Sequence, residues 1–130
     1  MEIHEPLPEE TEQVLSAVVD AGLMVHRQLG PGFNESVYRN ALCIELRTRD
    51  IPFEMEKTFV VKYRDQAVAT QRVDLVVGTC VIVELKATFC LEQIHYAQSL
   101  SYLRASCLRA GLLMNFGGLT LRAGLKRLVI

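Results

Sequence analysis

The chain has 130 residues with 50% hydrophobic and 22% charged side chains, enough for one compact domain around one core and too ordered a composition for a disordered protein. Its net charge of −1 excludes the strong basic footprint of proteins that hold nucleic acid by bulk electrostatics. No apolar run approaches the roughly 20 residues of a membrane helix, and the acidic start lacks the parts of a signal peptide, so a cytoplasmic protein without membrane contact is expected.

Residues 1–10 read as a flexible N-terminus and residues 11–130 as a single domain. Cys43, Cys80, Cys90 and Cys107 form no C-x-x-C pair and have no histidine at zinc-ligand spacing, so they are expected to be reduced thiols.

From Thr11 to Leu29 apolar residues recur at three- and four-residue steps, through Val14, Leu15, Val18, Val19 and Val25, which is the stripe of an amphipathic helix. Gly30-Pro31-Gly32 ends it. Asn34 can cap a second helix reaching about Arg49, with Glu35 in the first turn, where a carboxylate meets the positive end of the helix dipole. After Ile51-Pro52 the period becomes two, from Phe53 to Tyr63, the pattern of a half-exposed strand. Arg64-Asp65-Gln66 suits a turn, and Ala67 to Val77 reads as a second strand. Beyond Gly78-Thr79, Cys80 to Ala87 reads as a buried third strand. Helical spacing returns from Leu91 to about Ser106, and Ala110 to Phe116 and Leu125 to Ile130 close the chain as strands. The order ααβββαββ describes an α/β protein, a mixed β-sheet flanked by helices.

Three residues break the apolar rule. In the third strand, Val81, Val83 and Leu85 point to one face and Ile82, Glu84 and Lys86 to the other. A carboxylate and an ammonium in so apolar a strand are costly unless they pair or bind an ion. Asp74, between Val73 and Leu75-Val76-Val77, raises the same question one strand earlier. A two-residue Gly78-Thr79 hairpin would place Asp74 opposite Val83, on the wrong face. A three-residue loop, Gly78-Thr79-Cys80, sets it opposite Glu84, and that loop is expected. Two facing carboxylates with no thiolate or histidine beside them favour Mg²⁺ or Mn²⁺. Lys86 would contact the phosphate or the attacking water. The competing reading is a self-satisfied Asp-Glu-Lys network without catalysis. Arg72, two residues before Asp74, is the best phosphate contact among scattered basic residues. Tyr38 reads as a packing residue with its hydroxyl tied, His95 as a surface or satisfied histidine, and Asn115 as bonded to backbone, outside the site.

Asp74, a nine-residue gap and then Glu84-Leu85-Lys86 resemble the D…E-x-K signature of the PD-(D/E)XK superfamily, with Val73 where its namesake proline often stands. Gly32-Phe33-Asn34-Glu35-Ser36-Val37-Tyr38 resembles the motif of the GxxExxY protein family, a branch of that superfamily. The similarity continues through Ala97-Gln98, Tyr102-Leu103 and Gly111 to Phe116, spanning about Val18 to Val129. The resemblance implies a restriction-endonuclease-like fold and Glu35 as a further ligand of the metal or its water. It also implies Gln98 and Tyr102 beside the substrate or the catalytic lysine. The implied function is a metal-dependent nuclease on DNA or, second, RNA. The alternative is a weak or inactive nucleic-acid-binding or scaffold module. The near-neutral charge favours a second copy or a partner protein to complete the substrate groove.

Overall fold

The computed structural model describes residues 5–130. Helix α1 (Glu9–Leu29) and helix α2 (Glu35–Thr48) precede seven strands, and helix α3 (Gln93–Ser106) follows the fifth. The strands are β1 (Phe53–Met55), β2 (Thr58–Tyr63), β3 (Gln66–Arg72), β4 (Leu75–Val77), β5 (Val81–Lys86), β6 (Ala110–Asn115) and β7 (Leu125–Val129). Part of the expected flexible N-terminus lies outside the described residues. Of the rest, Glu9 and Glu10 already belong to α1, and Arg109 ties down the carbonyls of Glu5 and Pro6.

The main sheet has the order β1-β4-β5-β6-β7. Its pairs are antiparallel except β5 with β6, which run parallel because α3 carries the chain back between them. This is the mixed sheet flanked by helices expected from the sequence, in a restriction-endonuclease-like arrangement. Val81, Val83 and Leu85 pack with Leu15, Val18, Leu42 and Leu46 of α1 and α2, while Ile82 and Val76 pack with Leu103 of α3 on the other face. Each such side chain contributes about 1.5–3 kcal/mol by leaving water, so this double-sided core fixes β5 firmly.

The two long strands expected between Phe53 and Val77 are each broken in two. Glu56 takes a left-handed conformation (φ 51°) after β1, and the chain leaves strand geometry again at Val73-Asp74. The two breaks lie side by side: Glu56 N–H donates to Asp74 O (2.8 Å) and Val73 N–H to Lys57 O (2.9 Å). The ribbon therefore bends as a unit. Its inner half, β1 and β4, joins the sheet, and its outer half, β2 and β3, forms a separate hairpin whose Phe59 packs into the cluster of Leu103 and Tyr102. Arg64 and Asp65, both at positive φ, make the tight turn that joins β2 to β3. Asn34 holds the N-cap position of α2, but its side chain makes no capping bond; its backbone carbonyl accepts from Val37 N–H instead.

Candidate active site

The loop joining β4 to β5 has three residues, Gly78-Thr79-Cys80, closed by Cys80 N–H donating to Val77 O at 3.2 Å. Gly78 and Thr79 both adopt left-handed φ values, 59° and 62°. The register Val77↔Val81, Val76↔Ile82, Leu75↔Val83 brings Asp74 opposite Glu84 one step further on. Loop parity is thus what puts both carboxylates on one face of the sheet.

The pair is braced through backbone amides. Asp74 N–H donates to Glu84 Oε1 (2.9 Å), and Leu85 N–H donates to Asp74 Oδ2 (2.8 Å). Among the described residues, the second oxygen of Glu84 accepts no hydrogen bond, and Oδ1 of Asp74 has only the guanidinium of Arg39, 3.7 Å away. Glu84 is 7% exposed. Burial, then the Asp74 carboxylate, push its pKa up to about 8, against the pull of the Asp74 amide and Lys86.

Glu35 and Tyr102 feel the charges of this pair from two different helices. Glu35, in the first turn of α2, has its pKa raised by burial and then by Asp74, while Lys86, Arg39 and His95 oppose the shift. Tyr102, on α3, has its phenol pushed up by burial and by the charges of Glu84 and Asp74. Carboxylates from a strand break, a strand and a helix start therefore share one field with Lys86. Gln98 is exposed one turn before Tyr102 and makes no hydrogen bond to the site among the described residues. His95 accepts Glu92 N–H at Nδ1 (3.0 Å), the satisfied role expected of it.

Arg72 reaches the site differently from the way the sequence suggests. The chain breaks between β3 and Asp74, so the two do not share a strand face. Instead both line a cleft of about 700 Å³ with Arg39, Thr58, Thr70 and Gln71. Arg39 is the residue sequence reasoning passed over. It stands one turn after Glu35 on α2, a spacing that puts both on one helix face. Its Nε is buried and unpaired among the described residues.

Two buried polar side chains hold the loops around the site. The Tyr38 hydroxyl donates to Gly30 O (2.6 Å) and accepts Phe33 N–H (3.1 Å), fixing the turn from which Glu35 projects. Asn115 accepts the amides of Thr88 (3.0 Å) and Gly117 (3.1 Å) and donates to Thr88 O (3.1 Å), pinning the segment that follows Lys86. Both match their expected roles.

No three histidine, cysteine or carboxylate side chains among the described residues converge as a ready-made cation cage. The chemistry of the donors nevertheless fits a hard cation. Mg²⁺ usually keeps several waters and takes one or two carboxylates plus substrate phosphate, and two facing carboxylates with free oxygens are present here. A buried glutamate beside an aspartate needs a cation to hold its charge.

Comparison with curated proteins and with solved structures gives no match. The family model described as the PD-(D/E)XK nuclease superfamily matches residues 12–128, nearly the whole chain, and the protein belongs to that superfamily.

Proposed function

We propose that the protein is a metal-dependent nuclease that hydrolyses phosphodiester bonds, in DNA before RNA, as a member of the GxxExxY branch. The observation that carries this reading is the braced Asp74–Glu84 pair on the same strand face as Lys86, beside the otherwise apolar strands β4 and β5. Each carboxylate spends one oxygen on a backbone amide; among the described residues the other oxygen of Glu84 accepts no hydrogen bond, and that of Asp74 faces the Arg39 guanidinium at 3.7 Å.

Asp74, Glu84 and Glu35 would hold Mg²⁺ or Mn²⁺, consistent with the general use of divalent metals by these nucleases. Bound there, the ion would polarise the phosphodiester and acidify the attacking water. Lys86 holds an ammonium beside these carboxylates, where it would orient the water or steady the phosphate. Arg72 lines the cleft beside Asp74, and Tyr102 feels the charges of Glu84 and Asp74; both would contact the substrate, with Gln98 a turn away from Tyr102. The four cysteines among the described residues are free thiols, which supports a cytoplasmic setting. No described helix is long and apolar enough to cross a membrane.

Cleavage of plasmid and oligonucleotides with Mg²⁺ or Mn²⁺ by the wild type, Glu84→Ala and Lys86→Ala tests the reading; equal background in all three would end it. The second reading, a catalytically weak nucleic-acid-binding or scaffold module acting with a partner, is favoured by the net charge of −1. On either reading, a second copy or a partner protein would supply the missing basic groove.

A further inference from the structure

Three large apolar side chains stand in water around the candidate site: Phe89 is 97% exposed, Leu119 89% and Phe33 50%. Single exposed hydrophobics are ordinary, but these lie on loops gathered at the end of the paired strands β5 and β6. Phe33 lies two residues before Glu35, and Phe89 three residues after Lys86. Phe89 sits between Thr88, clamped by Asn115, and Cys90, whose carbonyl accepts from Thr88 Oγ1 (2.9 Å). Leu119 follows Gly117, held by the same Asn115, and Gly118, whose carbonyl lies 3.0 Å from His26 Nε2. Phe33 is fixed by its amide bond to Tyr38.

Two of the loops touch, and the third reaches them through the ring of Tyr38. A Cβ on Gly117 would lie 2.1 Å from Thr88 O, so the Thr88 and Gly117 backbones are in direct contact. Beneath them an aromatic row runs from His26 (6.0 Å between centroids) to Phe116, from Phe116 (4.9 Å, stacked) to Tyr38, and from Tyr38 (6.2 Å, edge-on) to Phe33. The buried groups of this row and Asn115 thus anchor the backbone from which the three apolar side chains project. An anchored backbone lowers the ordering cost of binding.

We infer that Phe33, Phe89 and Leu119 form a base-contact rim, which captures unpaired nucleobases of a nucleic-acid strand entering the site. The inference rests on the nuclease reading and narrows its substrate to strands with accessible bases: single strands, flaps or frayed ends. Two observations favour this occupant over a protein surface. Phe33 and Phe89 lie on the loops that lead into Glu35 and out of Lys86. The net charge of −1 also leaves substrate affinity short of phosphate contacts, and stacking can supply it, since any base offers a π-face.

The test is equilibrium binding by fluorescence anisotropy to a base-bearing single strand, a blunt duplex and an abasic strand of equal length. Phe89→Ser and Leu119→Ser are made in the full chain; both positions are solvent-exposed, and circular dichroism checks that the fold is kept. Each substitution is expected to weaken the base-bearing strand by about fivefold or more, with the abasic strand, the duplex and the salt dependence unchanged. Equal losses on all three probes, or no loss, while Glu84-dependent cleavage persists, would overturn the rim and leave the nuclease reading standing. A loss of self-association in Phe89→Ser with unchanged strand binding would overturn it in favour of an interface between copies. No binding or Glu84-dependent cleavage of any nucleic acid by the wild type would overturn both.

Discussion

Replacing Glu84 by glutamine separates a cation site from a self-satisfied ion network, because the two predict opposite changes in stability. The glutamine Oε1 can still accept Asp74 N–H, so the brace at 2.9 Å survives and only the charge is removed. Burial and the facing Asp74 raise the Glu84 pKa from 4.5 to about 8. The folded state therefore retains a proton that the unfolded chain gives up. Stability from this group is complete below about pH 4.5 and falls as pH rises to about 8, at up to roughly 1.4 kcal/mol per unit. The ceiling is roughly 5 kcal/mol, and coupling to Asp74 reduces it to about 2–4 kcal/mol. Urea unfolding in chelator should give similar stabilities for wild type and Glu84→Gln near pH 5. Near pH 9 the variant should be more stable by about that margin. Adding Mn²⁺ should then raise the wild type and leave the variant unmoved, through preferential binding to the folded state. A variant less stable than wild type at both pH values would refute the reasoning and make Glu84 a partner in a structural network.

Tyr38→Phe removes the bonds to Gly30 O and Phe33 N–H while keeping the ring stacked on Phe116; a loss of about 1–3 kcal/mol is expected, read as a lower Tm. Asn115→Ala strips three backbone partners from the Thr88 and Gly117 loops and should cost about 2–4 kcal/mol in urea unfolding, with faster amide exchange at Thr88. Arg39→Gln withdraws a guanidinium from 3.7 Å beside Asp74, so calorimetry should find Mn²⁺ bound about two- to fivefold more tightly. Weaker binding in that variant would place Arg39 among the supports of the site instead.

The charged centre was legible because its residues are out of place in an apolar strand. Requiring Asp74 and Glu84 to share a face called for an odd loop, such as the three residues observed, since parity decides which way a strand residue points. The bend of the ribbon was not legible. Phe53, Met55, Phe59, Val61 and Tyr63 all occupy odd positions, so the alternation resumes in phase after Lys57 and hides the bend at Glu56, where the chain leaves the main sheet. That bend turns Arg72 from a strand neighbour of Asp74 into a cleft neighbour, and it opens the cleft itself. Arg39 reads in the sequence as one of the scattered basic residues on solvated faces, and only the fold brings α2 against Asp74. The roles of Tyr38 and Asn115 were foreseeable in kind, since buried polar groups find partners, but which loops they hold depends on contacts distant in sequence.

The most direct measurement is the cleavage rate of a labelled DNA strand with Mg²⁺ or Mn²⁺, compared among wild type, Glu84→Ala and Lys86→Ala preparations of equal purity. The account predicts metal-dependent cleavage by the wild type, abolished by chelator and reduced by about a hundredfold or more in each variant. Cleavage that is absent in the wild type, or that persists equally in both variants, would contradict it.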